Sequence, residues 1–207
     1  MEIKSLSQQI YELLRERILD GQYAFGEKLN IDTICKELAV SNSPVREALS
    51  LLTANHLANR KTNAGTYVVE FTPESYNEVA ESFSVLILGA YDICCIKERT
   101  GLLVRYLNEQ VQNLEKCIES GSDRTRMKAI LQIDRCFVMA TENQRCIRQF
   151  DSEADLVYLA YIYNHAGRVL DWNTNLEHHR NLVRAVQDNK YKTVQKILGG
   201  HTHSHIL

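Results

Sequence analysis

Residues 39–52 read AVSNSPVREALSLL. Ser43 is a natural helix N-cap. Pro44 suits the first helical position, because the N–H it lacks would find no partner there. Val45, Ala48, Leu49 and Leu52 recur at helical spacing and form one apolar stripe, while Arg46, Glu47, Ser50 and Thr53 point away from it. The stretch therefore predicts a helix beginning near Pro44. Just upstream, Ala39 to Ser41 form a tight connection from a short helix over Asp32–Leu38, with Ile34, Cys35 and Leu38 facing in. Further upstream, Leu6, Ile10, Leu13, Leu14 and Ile18 share one face of a helix over Ser5–Leu19, which Gly21 ends. The intervening GQYAFGEKL is rich in turn formers. Downstream lie two extended runs, Ala58–Lys61 and Thr66–Phe71. Asn63, Ala64 and Gly65 sit between them, the pattern of a small β-hairpin.

Composition shifts at Phe71-Thr72-Pro73. Beyond it the pattern is helical, near Pro73–Arg99, Leu102–Ser120, Arg124–Thr141, Cys146–Arg168 and Thr174–Asp188, with a last helix from Lys190. The expected organisation is thus an N-terminal domain over 1–71 and an all-helical domain over 72–207. The expected fold class is mainly α, a winged helix-turn-helix followed by an all-helical domain.

The 207 residues are 44% hydrophobic and 24% charged, a globular balance without extensive disorder. The best apolar run, Phe83–Ala90, is broken by Ser84 and followed by Asp92. A membrane span needs about 20 apolar residues, so none is expected. The start, MEIKSLSQQI, lacks an apolar signal core, which points to the cytoplasm. Net charge is −2, with eight basic and nine acidic residues before Thr72. No basic electrostatic footprint shows at that level. The six cysteines include no CxxC pair. They read as reduced and mostly buried, the vicinal pair Cys94-Cys95 included.

The helix starting near Pro44 has the width to enter a DNA major groove. Its N-terminus offers free N–H groups and a positive dipole end. Arg46 lies one turn in, on the exposed face, where a guanidinium can reach a guanine edge or a phosphate. Ser41, Asn42 and Ser43 add short hydrogen-bonding groups. Asn63 and Gly65, at the hairpin tip, could reach the adjoining minor groove.

The segment AVSNSPVREALSLL resembles the recognition-helix region of the GntR family of bacterial transcription regulators. The resemblance extends through IYELLRERILDGQYAFGEKLN and NAGTYV, covering about Ile10 to Val69. It implies DNA contacts at Ser41, Ser43 and Arg46, with Gly65 as the wing glycine. Two positions depart. Asn42 stands where the family usually has arginine, and Ile31-Asp32 where it often has Glu-Arg. The loss of two cations weakens phosphate attraction, and Asn42 can read adenine in a bidentate way.

The helical domain resembles the FadR-type effector domain of that family, an all-helical antiparallel bundle, in its shorter six-helix variety. The resemblance implies a small-molecule effector, often a carboxylate, and in many members a divalent metal held by one aspartate and three histidines. LQIDRCFVMATEN places Asp134 at the aspartate position, LEHHRNLVRAVQDNKY places His179, and LGGHTHSHI places His201. Val138 stands where the family has its remaining histidine. The implied zinc, nickel or manganese site thus keeps three of four ligands, with His178 or His165 as substitutes that nothing in the spacing requires. Leu86 and Gly89 replace an arginine and a glutamate typical of the first helix, so Leu86 and Val138 imply a more apolar effector pocket. His179 could also be a satisfied core histidine. His201, His203 and His205 could bind metal adventitiously, and Tyr158, Tyr161 and Tyr163 read as core.

The expected protein is a dimeric, effector-modulated DNA-binding regulator, commonly a repressor, on a palindromic operator. Two other classes remain on these residues. One is a metal-dependent enzyme using Asp134, His179 and His201. The other is a helical interaction protein that has lost DNA binding.

Overall fold

The computed structural model describes residues 4–203, with side chains through residue 199. The chain divides into two compact units between Thr72 and Pro73.

The first unit opens with α1 (Leu6–Leu19), capped by Ser5, whose hydroxyl accepts from the Gln8 N–H at 3.2 Å. Ile10, Leu14, Ile18 and Leu19 are buried. Leu6 and Leu13 stay exposed, at the rim of the predicted stripe. Gly21 ends the helix in the left-handed region at φ 69°. There the Gln22 N–H returns to the Arg17 carbonyl. Helix α2 (Ile31–Leu38) is capped by Asn30 and buries Ile34, while Cys35 and Leu38 are only half-buried. A single left-handed residue, Ala39 at φ 53°, turns the chain into α3 (Asn42–Ala54).

Helix α3 starts two residues before the predicted position, with Ser41 rather than Ser43 at the N-cap. Pro44 is then third in the helix. It still costs no hydrogen bond, because the first turn's N–H groups have no intrahelical acceptor. Val45, Ala48, Leu49 and Leu52 are all buried, as their period requires, and α3 packs mainly on α1.

Strands β1 (Ala58–Lys61) and β2 (Gly65–Val68) pair antiparallel, from Ala58 opposite Val68 to Lys61 opposite Gly65. The second strand stops at Val68, three residues short of the expected Phe71. Val69 and Phe71 instead turn inward, and Phe71 meets Phe25 edge-on at 5.6 Å. Residues 27–29 lie along the other edge of β2. The Leu29 N–H bonds the Thr66 carbonyl, and the Val68 N–H bonds the Glu27 carbonyl, each at 2.9 Å. These bonds tie the turn-rich connection to the hairpin.

The second unit contains α4 (Pro73–Ile96), α5 (Thr100–Ser120), α6 (Asp123–Ala140), α7 (Gln144–His165), α8 (Trp172–Gln187) and α9 (Tyr191–His203). Short connections set α5 beside α6, α6 beside α7 and α8 beside α9. Helix α5 packs on α6 and α8, and α4 packs on α6, α7 and α9. Leu103, Leu107, Leu114, Ile133, Phe137, Phe150, Leu182, Val186 and Val194 form the fully buried centre. Ser122, Asn143 and Asp171 each cap a helix by accepting a backbone N–H, which starts α7 and α8 two residues before the predicted bounds.

Helix α4 is long and apolar enough, by length and composition alone, to cross a membrane. This corrects the shorter run read around Phe83–Ala90. Between Val79 and Ile96 only Glu81 and Asp92 are charged. In the bundle α4 buries Tyr76, Phe83, Ile87, Ala90, Tyr91 and Cys94.

Candidate nucleic-acid interface and helical-unit chambers

In the first unit a groove of about 730 Å³ runs between the exposed face of α3 and the hairpin. Arg46, Ser50 and Thr53 line it from α3. Arg60, Asn63, Gly65 and Thr66 line it from the hairpin, Lys28 and Asn30 from the segment leading into α2, and Asp32 from the first turn of α2. Arg46 and Arg60 form no ion pair among the described residues. Three other cations of this unit are paired with acids: Lys4 with Glu12 at 2.7 Å, Arg15 with Glu16, and Arg17 with Glu37 at 3.0 Å. A nearly neutral domain therefore carries a groove with Lys28, Arg46 and Arg60 set against Asp32. Such local excess of positive charge attracts a phosphate backbone even where net charge does not.

The predicted contact residues gather around this groove and the α3 N-terminus. Ser41 is exposed and makes no side-chain capping bond. The Ser43 hydroxyl points to Glu47, 3.5 Å away. The Asn42 carbonyl oxygen accepts from the Cys35 thiol at 3.0 Å. Asn63, at φ 56°, shapes the hairpin tip. Gly65 at φ 113° holds a backbone conformation that favours glycine, and a Cβ there would approach the flexible Lys28 Cε to 3.1 Å. Residue reading missed Lys28, Arg60 and Thr66. Lys28 and Arg60 stand 18 and 14 positions from Arg46, and the pairing of residues 27–29 with β2 brings them together.

The second unit holds two chambers that share Tyr161. The narrow one has room for about 20 Å³ and is lined by α4 residues Tyr76, Phe83, Ser84 and Ile87, with Asp134 and Tyr161. The wider one, about 400 Å³, is lined by Met127, Ile130, Tyr161, His165, Asp171, Asn175, His178 and His179. Asp134 is 3% exposed, and burial pushes its carboxyl up to about 7, against a lowering hydrogen bond from the Tyr161 hydroxyl at 3.1 Å. Burial pushes His179 down to about 4 and lowers His178 as well. His179 Nδ1 donates to the Asn175 carbonyl at 2.9 Å, which fixes the tautomer and leaves Nε2 as the basic nitrogen. Tyr161, read from sequence as core, instead joins the site.

Asp134 and His179 are thus both buried acceptors, but they face different chambers. Val138 is fully buried and supplies no donor atom. His201 lies outside the residues whose side chains are described, as do His203 and His205. Among the described residues no three His, Cys, Asp or Glu groups are placed to hold a metal. Neither Leu86 nor Val138 borders either chamber. Phe83 and Ile87 occupy the inward face of α4, and Val138, a turn after Asp134, is consumed by core packing. All six cysteines are free. Cys94 is fully buried beside the Phe137 carbonyl, and burial raises its thiol to about 11, so it is not a reactive thiolate.

Residues 6–68 match the gntR family of bacterial regulatory proteins. The "uncharacterized HTH-type transcriptional regulator YdhC" of Bacillus subtilis is 25% identical over 196 residues, 94% of this chain and 87% of its own length. Among solved structures, a protein of Rhodococcus sp. RHA1 described as a GntR transcriptional regulator aligns with TM-score 0.79 at 17% identity, covering 97% of this chain and 95% of that one. E. coli McbR/YncC aligns with TM-score 0.74 at 18% identity, covering 99% and 96%. At these identities the structures establish shared fold across both units.

Proposed function

Residues 6–68 are a DNA-binding domain of the gntR family of bacterial regulatory proteins, and from this premise we propose a dimeric, effector-responsive repressor acting on a palindromic operator. The observation that carries the reading is the groove between α3 and the hairpin, lined by Lys28, Arg46 and Arg60. Among the described residues no acid pairs with its two arginines, so their charges are available to phosphates and base edges. Two-fold related heads would read half-sites about one helical turn apart, near 34–36 Å.

Support for a dimer comes from α4. Val85 is 71% exposed and Ile96 81% exposed, on a face that also carries Leu86, Gly89 and Ile93. An apolar stripe of this kind fits a second copy of the same helix. The effector would occupy the chambers around Tyr161 and act by binding one arrangement of the heads better than the other.

Among the described residues, no lysine or arginine lines either chamber. A carboxylate effector would therefore need a cation beside it. A zinc, nickel or manganese ion in that role would have to draw its ligands Asp134, His179 and His201 to one point, although Asp134 and His179 open onto different chambers. Without the ion, a neutral effector suits the lining better.

The test of the central reading is binding of the full chain to duplexes selected from a randomised library, followed by fluorescence anisotropy. Arg46→Ala should lower affinity at least about tenfold, and log K should fall steeply with log salt. A chain that selects no sequence, or an Arg46→Ala variant that binds like wild type, would overturn it. Elemental analysis of tag-free protein decides the metal. About one ion per chain, lost in Asp134→Ala or His179→Ala, supports the proposed ligands. Absence of metal, or loss only when His203 and His205 are removed, rejects them.

A further inference from the structure

We propose that Cys35 is a positioning residue for base reading. Its thiol holds the Asn42 carbonyl oxygen, so that α3 presents the Asn42 amide nitrogen to DNA as a hydrogen-bond donor. The inference rests on α3 being the helix that enters the major groove. It adds which edge of a base the first residue of that helix can address.

Cys35 sits in the last turn of α2, half-buried, and Asn42 is the exposed first residue of α3. The left-handed turn at Ala39, closed by a 3.1 Å bond from the Val40 N–H to the Cys35 carbonyl, brings the two side chains together. Cys35 Sγ lies 3.0 Å from Asn42 Oδ1. The amide oxygen can only accept, so the thiol hydrogen is the donated one. Cys35 is the sole side-chain hydrogen-bond partner of Asn42 among the described residues.

This contact polarises the amide. With Oδ1 turned toward the half-buried thiol, Nδ2 and its two hydrogens face outward. Bidentate reading of adenine needs the oxygen on N6–H and the nitrogen on N7, side by side in the groove. That arrangement conflicts with an oxygen held on the protein side. Two outward donors instead match a base with acceptors, above all guanine with N7 and O6, then thymine with O4. Cytosine offers an N4 donor and is disfavoured. The free Ser41 hydroxyl beside Asn42, and the Arg46 guanidinium a turn later, add further donors to the same end of the helix. The adenine preference expected from residue type alone is thereby replaced by a preference for acceptor edges.

The experiment is selection from a randomised duplex library with the full chain and its variants, read by sequencing. Asn42→Ala identifies the base pair that Asn42 reads, as the position where preference is lost. At that position the wild type should select guanine, with thymine next. Cys35→Ala frees the amide to turn and should raise the adenine-to-guanine ratio there by about tenfold. Cys35→Ser keeps a donor and should restore the wild-type choice. The salt dependence of binding should be the same for Cys35→Ala and wild type, because no phosphate contact is removed. Asn42→Asp leaves α2 untouched, replaces donors by acceptors, and should exchange guanine for cytosine.

Adenine selected by the wild type, an unchanged preference in Cys35→Ala, or guanine retained by Asn42→Asp each overturns the proposal. So does an Asn42→Ala variant that loses preference nowhere. Those outcomes leave the reading of α3 standing if Arg46→Ala still abolishes selection. A wild type that selects nothing removes both.

Discussion

Ala39 occupies the left-handed region at φ 53°, ψ 42°, the conformation that lets α2 end and α3 begin within three residues. A residue with a Cβ is strained there by roughly 1–2 kcal/mol, and glycine is not. Ala39→Gly should therefore stabilise the first unit by up to about 1 kcal/mol, after allowing for the greater freedom glycine has when unfolded. A thermal or urea titration that shows destabilisation would mean the Ala39 methyl makes a contact worth more than the strain. The same turn sets the distance from Cys35 to Asn42, so its geometry bears on base reading as well as on stability.

Asp134 and His179 give the second unit two titrations of opposite sign. The Asp134 carboxyl is raised by burial from 3.8 to about 7, so the folded state holds a proton that the unfolded state has released. Stability from this group is fully present below about pH 4 and is lost as pH rises toward 7. His179 is lowered by burial from 6.5 to about 4, so the folded state binds fewer protons. Its contribution is present above about pH 6.5 and is lost as pH falls toward 4. Between pH 4 and 6.5 the two slopes oppose each other. In metal-stripped protein, Asp134→Asn should uncover the His179 slope, so that stability climbs with pH across that window. It should also exceed wild-type stability above pH 7. Denaturant titrations at stepped pH would reject this if the variant keeps the wild-type profile. The family resemblance points to Asp134 and His179, but not to their surroundings. Tyr161 lies 27 positions beyond Asp134, in a tyrosine run whose spacing looks like core. Only the packing of α7 on α6 brings its hydroxyl to the carboxylate.

At the scale of single elements, legibility followed periodicity. The apolar stripe of α3 was readable because Val45, Ala48, Leu49 and Leu52 repeat with the helix and no polar residue interrupts them. Leu52 is fully buried, and Leu52→Ala should cost the first unit about 2–5 kcal/mol. Calorimetry that found less than about 1 kcal/mol would mean that α1 closes the cavity by moving inward. Ser41 and Ser43 are equally good caps by type, so residue type alone does not separate the two possible starts of α3. The left-handed Ala39, which no local rule demanded, decides between them in favour of Ser41. Strand β2 ends before its expected bound because Val69 and Phe71, as apolar as strand residues, serve the core of the unit rather than the ladder. The hairpin cations were illegible for a related reason. The position of Lys28 beside Gly65 depends on residues 27–29 joining β2, a pairing between segments nearly forty residues apart that no window on the sequence contains.

For the whole molecule, the open question posed by α4 is what covers its outer face. Helix α4 buries one side in the bundle but leaves Val85 and Ile96 largely exposed, with Leu86 and Ile93 half-exposed beside them. Gly89 lies between these residues, and a Cβ added there would meet nothing within 4 Å. An exposed glycine flanked by branched apolar side chains is the surface a second helix can approach closely. A two-fold axis near Gly89 would set Val85 of one copy toward Ile93 of the other, an isologous contact that closes on itself. Val85→Glu should then yield a monomer in sedimentation velocity while far-ultraviolet circular dichroism stays unchanged, because the substituted side chain lies outside the bundle core. DNA affinity should fall with dimerisation, since each head must bind alone, by about 10²-fold or more. The salt slope per chain should persist, because the groove of Lys28, Arg46 and Arg60 is intact. If Val85→Glu stays dimeric, the α4 face is not the interface. If it becomes monomeric yet binds the selected duplex as tightly as wild type, each head suffices by itself and the palindromic reading falls.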